Sequence, residues 1–103
     1  MKSIDTVREQ LANARYTLSR HALHRVTVRN ISKAEICEAG ATAEMIEYYP
    51  DDKYSPSALL LGFTHNRRAL HLQVSLLDTD ETKIITIYPP DENKWVDYRT
   101  RRK

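Results

Sequence analysis

The hydrophobic periodicity of the chain changes once, near Gly40, and no other feature of the sequence constrains its fold as strongly. Before Gly40, apolar residues recur at the three- and four-residue spacings of amphipathic helices, and after it they alternate as in strands. Helices followed by strands are typical of an α+β fold, in which the helices cover one face of an antiparallel sheet. The chain has 103 residues, of which 41% are hydrophobic, so we expect a single domain with one core over residues 1–103.

Three helices are predicted on the N-terminal side of this change. Residues 3–13 and 19–29 carry apolar side chains at helical spacing, and a serine stands at the start of each segment. The third helix, over residues 32–40, begins with the capping-box pair Ser32 and Glu35 and is expected to end at its last residue, a glycine. The segment Tyr16–Leu18 is too short for an assignment.

Four strands are predicted after Gly40, over residues 43–49, 58–65, 69–77 and 83–88. The fourth is apolar on both faces, which is typical of a strand in the interior of a sheet. Pro89 and Pro90 end this strand, because proline lacks the N–H that a strand ladder needs. We expect a short turn to follow, capped by Asp91 and carrying Trp95.

Apolar and polar residues alternate most clearly in the third of these strands, and this alternation assigns its two faces. Its apolar side chains are expected to face the helices, and these are Leu70, Leu72, Val74 and Leu76. The alternating side chains His71, Gln73 and Ser75 are then expected on the opposite face, where a ligand could reach them. His71 is therefore a candidate catalytic residue. The alternative is that it lies at the rim of the sheet without a function.

Charge is distributed unevenly along the chain. The net charge is +2, but residues 1–34 carry seven basic and two acidic side chains, whereas residues 35–95 carry five basic and eleven acidic ones. A basic C-terminal tail, residues 96–103, has four basic side chains and one acidic one. The N-terminal third and the tail could converge and bind an anion. Two separate solvated surfaces would give the same pattern.

The second helix carries a stripe of basic residues. His21, Arg25 and Arg29 follow each other at four-residue intervals, so they lie along one side of a helix. Arginine binds phosphate through two parallel hydrogen bonds, which makes Arg25 and Arg29 candidates for phosphate binding. Ion pairing with the acidic middle segment is the structural alternative.

A metal-independent ribonuclease needs an acid, a base and cations, and the sequence offers suitable residue types. The candidate catalytic residues are His21, His71 and Tyr88. The candidate RNA- or phosphate-binding residues are Arg25, Arg29, Arg101 and Arg102. Each has a structural alternative, since a helix histidine more often makes a hydrogen bond than it catalyses a reaction, and Tyr88 could be a core anchor.

Metal and cofactor motifs are not found in the sequence. There is no paired-cysteine or His-Glu-x-x-His pattern, and two glycines in the whole chain do not make a phosphate loop. We expect no metal and no cofactor, with His21 and His24 as the first candidate ligands if a metal is required after all. The N-terminus lacks an apolar signal and the single Cys37 has no partner, so we expect a cytoplasmic protein. The longest apolar stretch, residues 58–63, is too short for a membrane-spanning helix.

Several segments taken together resemble a prokaryotic family of domains of unknown function, over roughly residues 16–103. The segments are His21-Ala22-x-x-Arg25, Arg29-Asn30-Ile31-Ser32, Leu70-His71, Ile85-Thr86-Ile87-Tyr88-Pro89-Pro90-Asp91 with Trp95, and the closing Arg101-Arg102-Lys103. That family is similar in organisation to the small RelE, ParE and BrnT type toxins. The resemblance implies a RelE-like sheet, action on RNA as a ribonuclease or translation inhibitor, and an antitoxin-like protein partner. The alternative function is a non-enzymatic module that binds a protein through the same sheet.

Overall fold

A computed structural model describes residues 1–103 and confirms the α+β fold. The helices are α1 (Ile4–Ala12), α2 (Arg20–Val28) and α3 (Lys33–Ala41). The strands are β1 (Tyr16–Leu18), β2 (Glu44–Tyr49), β3 (Ser57–Phe63), β4 (Ala69–Ser75), β5 (Thr82–Tyr88), β6 (Trp95–Val96) and β7 (Thr100–Arg101). The bounds of the predicted helices and of the four predicted strands differ from these by no more than two residues.

The main sheet has five strands rather than about four, in the order β1-β5-β4-β3-β2. Strands β2 to β5 form the predicted antiparallel meander. The additional strand is β1, which pairs in parallel with Thr82–Ile84 of β5. Strand β5 therefore lies inside the sheet, as its apolar residues on both faces predict.

Local capping explains where the helices begin. Ser3, Ser19 and Ser32 each accept a hydrogen bond from the backbone N–H three residues later. The predicted capping box is confirmed at α3, because Glu35 also accepts a hydrogen bond from the N–H of Ser32. These bonds satisfy N–H groups that a helix end would otherwise leave without a partner.

Gly40 does not end α3, which is a correction to the sequence prediction. The helix continues through Gly40 to Ala41, and the glycine lies against α1. A Cβ atom built at Gly40 would be 2.4 Å from the Cβ of Leu11, so the two helices approach too closely for any other residue. A tertiary contact therefore explains this glycine better than a helix C-cap does.

The helices and one face of the sheet enclose the core. Leu70, Leu72, Val74 and Leu76 all belong to it, as their alternation predicts. Gly62 of β3 allows the close approach of α3, because a Cβ there would lie 2.0 Å from the carbonyl oxygen of Ala39. None of the helices is long and apolar enough to cross a membrane.

The C-terminal residues cover part of the other face of the sheet. Asp91 caps a short turn as expected, since its side chain accepts a hydrogen bond from the N–H of Asn93 at 2.8 Å. The chain then forms an antiparallel hairpin of β6 and β7, which the sequence did not predict. We call residues 95–101 the C-terminal hairpin. Much of the basic tail is therefore folded structure.

Candidate functional site

A cleft of about 330 Å³ lies between α2, the end of β5 and the C-terminal hairpin. Its lining includes four cations and two aromatic side chains, namely Arg25, Arg29, Lys94, Arg101, Tyr88 and Trp95. We call this feature the basic cleft. It brings together the basic stripe of α2 and the basic tail, so the convergence that the charge pattern allowed is present in the structure.

Three of the four cations in the basic cleft have no ion-pair partner. The salt bridges of the molecule do not include Arg25, Arg29 or Lys94. Ion pairing with the acidic middle segment therefore does not explain Arg25 and Arg29. The cleft is also lined by Asp91, whose carboxylate caps the turn that follows it. Its cations thus outnumber its carboxylates.

Arg101, the fourth cation, is held in place by two interactions. Its Nε and Nη2 atoms donate to the carboxylate of Glu47 at 3.0 and 3.1 Å. Its guanidinium carbon lies 4.7 Å from the centre of the Trp95 ring, as in a cation–π contact. The hydrogen bonds that Arg101 donates to Glu47 hold the pKa of Arg101 above its usual value. The side chain of Arg101 thus has a fixed position in the lining of the cleft.

Tyr88, which lines the cleft, forms a hydrogen-bonded pair with His71. The hydroxyl of Tyr88 lies 3.3 Å from Nδ1 of His71, and Nε2 of His71 lies 2.6 Å from the carbonyl oxygen of Tyr98. A carbonyl oxygen can only accept, so Nε2 carries the proton. In the neutral ring Nδ1 is then the acceptor for the Tyr88 O–H.

Burial shifts the pKa values of this pair in opposite directions. Burial lowers the pKa of His71, which favours the neutral imidazole. Burial raises the pKa of Tyr88, although the nearby Arg101 lowers it in part. Burial also raises the pKa of Glu47, but hydrogen bonds from Arg101 and Tyr49 outweigh that effect and hold it below its usual value. The pair is therefore neutral near pH 7 beside a charged Glu47–Arg101 pair.

The expectation that a ligand could reach His71 directly is wrong. His71 lies on the face opposite the helices, as predicted, but its exposed fraction is 0% because the C-terminal hairpin covers it. The Trp95 ring stands edge-on to the imidazole with their centres 4.5 Å apart. A ligand in the basic cleft would meet Tyr88, and His71 would lie behind it.

The structure separates the other two predicted residues from the basic cleft. His21 is exposed and lines a neighbouring groove, although its Nε2 accepts from Nε of Arg25 at 3.5 Å. Arg102 donates to the carbonyl oxygen of Glu92 at 3.0 Å and lines a small depression on another side of the hairpin. Arg25, Arg29, Tyr88 and Arg101 are therefore the predicted residues that share one site.

Sequence reasoning missed Lys94 and Glu47 as parts of this site. The charge of Lys94 was visible, but only the turn after Pro90 places it beside α2. The position of Glu47 depends on the pairing of Glu47 with Leu59 in the sheet and on the folded hairpin. No three histidine, cysteine, aspartate or glutamate side chains lie close enough together to hold a metal ion.

The chain matches the model of a known protein family. The model of the family described as Domain of unknown function (DUF4258) matches residues 18–89, which is more than half of the chain. The matched segment begins just before α2 and ends just after Tyr88, so it contains Arg25, Arg29 and His71 but not the C-terminal hairpin. No curated protein and no solved structure matches the chain.

Proposed function

The chain belongs to the DUF4258 family of domains of unknown function, and we propose that it acts on RNA as a small toxin-type domain. On this proposal the basic cleft binds an RNA phosphate. The activity is metal-independent cleavage of RNA or inhibition of translation through RNA binding.

One observation carries the proposal, namely the convergence of unpaired cations in the cleft that Tyr88 also lines. Arg25 and Arg29 come from α2, and Lys94 comes from a turn more than sixty residues later. Like charges repel each other, so gathering them costs free energy unless an anion binds between them. A phosphate fits, because it accepts several charge-assisted hydrogen bonds from arginine and lysine at once.

The Tyr88–His71 pair supplies a route for a proton. In metal-independent cleavage the ribose 2′-hydroxyl loses its proton and attacks phosphorus, and the 5′-oxygen leaves and takes up a proton. Tyr88 oxygen accepts the proton of the 2′-hydroxyl while its own proton passes to Nδ1 of His71. Burial lowers the pKa of His71 and so opposes the resulting imidazolium, and the negative charge of Glu47 offsets part of that cost. Cations in the basic cleft stabilise the charge that develops on the phosphate.

His21 is the candidate for the second proton transfer. It is exposed one helical turn before Arg25, outside the cleft but within 3.5 Å of the Arg25 side chain. A phosphate held by Arg25 would therefore bring its leaving oxygen close to the His21 imidazole. Histidine suits this role because its imidazole can both accept and donate a proton.

An antitoxin-like protein partner and a cytoplasmic location complete the proposal. A partner that inhibits the domain would cover the basic cleft and compete with RNA for Arg25 and Arg29. Induced expression in a bacterial host, with growth and translation followed, tests the function in the cell. We expect growth arrest with the unmodified chain and its relief in the double variant Arg25→Ala/Arg29→Ala.

The experiment that tests the proposal directly is an RNA-binding titration at low salt. The double variant Arg25→Ala/Arg29→Ala should weaken binding strongly, because each arginine contacts phosphate. The matched control is Lys33→Ala, which removes an exposed positive charge from α3, on the helical side of the molecule. If no RNA binds and expression leaves growth unchanged, the proposal is wrong and the protein-interaction alternative takes its place.

A further inference from the structure

A second and larger cavity lies beside the basic cleft. It has a volume of about 540 Å³ and is formed by the start of α2, the loop between β2 and β3, and the part of the outer sheet face that the C-terminal hairpin leaves open. We call it the side groove. Its volume falls within the range of small-molecule sites in proteins.

The side groove combines an apolar floor with a free hydrogen-bond acceptor. Ile85 and Leu77 contribute the apolar surface. The amide nitrogen of Gln73 donates to Asp52 and Ser57 at 3.3 Å, which leaves its amide oxygen without a protein partner. A flat heterocycle with N–H groups at its edge suits such a site, since its faces are apolar and its edge is polar.

The rim of the side groove offers an aromatic ring and several cations. Tyr54 is 87% exposed, and Nζ of Lys53 lies 5.2 Å from the centre of its ring. Arg20 and Lys83 also line the groove, and neither forms an ion pair. Exposed aromatic side chains among cations are typical of surfaces that bind single-stranded nucleic acids.

The side groove continues the basic cleft. His21 lines the side groove and touches Arg25, which lines the basic cleft. A strand of RNA with one phosphate in the basic cleft would thus extend its neighbouring nucleotide toward the side groove. We propose that the side groove binds one unpaired nucleobase of that strand, stacked on Tyr54. This inference rests on the proposed function and adds that the RNA is single-stranded.

Two probes of equal length test the inference, a short single-stranded RNA oligonucleotide and an abasic oligonucleotide with the same number of phosphates. The unmodified chain should bind the RNA probe more tightly than the abasic one. Tyr54→Ala should weaken binding of the RNA probe about 5-fold, the low end of the range for losing a base–aromatic stack, and leave the abasic probe unaffected. Arg25→Ala should weaken the binding of both probes.

The matched control is Tyr48→Ala. Tyr48 is another exposed tyrosine, but it pairs with the core residue Ala58 and so faces the helical side of the sheet. This substitution should change the affinity for neither probe. Equal affinity of the unmodified chain for the two probes, or an equal effect of Tyr54→Ala on both, would overturn the inference and leave the proposed function standing. If neither probe binds, both are wrong.

Discussion

The Nε2–H of His71 donates to the carbonyl oxygen of Tyr98 at 2.6 Å, across 27 positions of the chain. Tyr98 and Asp97 form the tip of the C-terminal hairpin in left-handed conformations, with φ of 63° and 51°. Such φ values are uncommon for residues other than glycine, so surrounding contacts must hold the tip in place. The bond to His71 is one such contact, and it joins the hairpin to the middle strand of the sheet.

The protonation of His71 should make the stability of the fold depend on pH. Burial lowers the pKa of His71 in the folded state below its unfolded value of 6.5. As pH falls below about 6.5, the unfolded state takes up a proton that the folded state does not, so acid favours unfolding. The free energy of unfolding should be highest above this pH and fall between about pH 7 and pH 5, by at most about 1.4 kcal/mol per pH unit for one proton.

Denaturant titrations at several pH values, followed by the fluorescence of Trp95, measure this effect. Trp95 is the only tryptophan and lies against the His71 ring. The control is His71→Gln, which keeps an N–H for Tyr98 but does not titrate, and its stability should be nearly constant in this range. The other three histidines are exposed. An equal pH dependence in both proteins would show that His71 is not its source.

The core face of β4 gives a second prediction. Leu72 has an exposed fraction of 0%, so Leu72→Ala should lower the free energy of unfolding by about 2–5 kcal/mol through lost burial and the cavity left behind. Leu77 lies just after the same strand and is 51% exposed, and Leu77→Ala should change stability by no more than about 0.5 kcal/mol. Similar losses in the two variants, measured by denaturant titration, would contradict the assignment of the faces.

Local signals explain why most of the fold is predictable from the sequence. The capping box of Ser32 and Glu35 and the alternation along β4 are properties of short segments, and both are confirmed. Strand β1 was missed because its three residues carry no pattern of their own. It exists through its pairing with β5, more than sixty residues away. Gly40 was misread for the same reason, since its contact with Leu11 is tertiary.

The candidate site is predictable in its residue types but not in its assembly. Periodicity places Arg25 and Arg29 on one side of α2, and alternation places His71 on the outer face of the sheet. What covers that face depends on the ion pair of Arg101 with Glu47 and on the bond of His71 to Tyr98. These interactions join segments far apart in the sequence. Contacts between distant segments also place Lys94 in the site and Arg102 outside it.

The salt dependence of RNA binding is the third prediction. Each phosphate contact releases counterions from RNA, so the logarithm of the affinity should fall linearly with the logarithm of the salt concentration. Arg25→Ala should reduce the slope by about 0.7, the contribution of one phosphate contact on a single strand. Lys33→Ala should leave the slope unchanged. A slope that stays the same in Arg25→Ala would mean that Arg25 has a structural role.

The fourth prediction concerns cleavage itself. If Tyr88 and His71 pass one proton between them, Tyr88→Phe and His71→Gln should each lower the rate of RNA cleavage by roughly 10²- to 10⁴-fold, as is typical for losing a general acid or base. The double variant Tyr88→Phe/His71→Gln should cleave RNA no more slowly than the slower of the two single variants, because both substitutions break the same proton transfer. His21→Ala should lower the rate independently, since His21 lies outside that pair.

Single-turnover cleavage of labelled RNA measures these rates, with binding checked separately so that lost affinity is not mistaken for lost chemistry. His24→Ala and His65→Ala are the controls, because both side chains are exposed and lie outside the basic cleft. A chelator should not change the rate, since the proton transfers use only side chains of the chain. If EDTA abolishes an observed activity, the proton relay is wrong and a metal bound by His21 and His24 becomes the explanation to test. If the rate losses of the two single variants instead multiply in the double variant, Tyr88 and His71 act separately. The 3.3 Å contact between them is then structural.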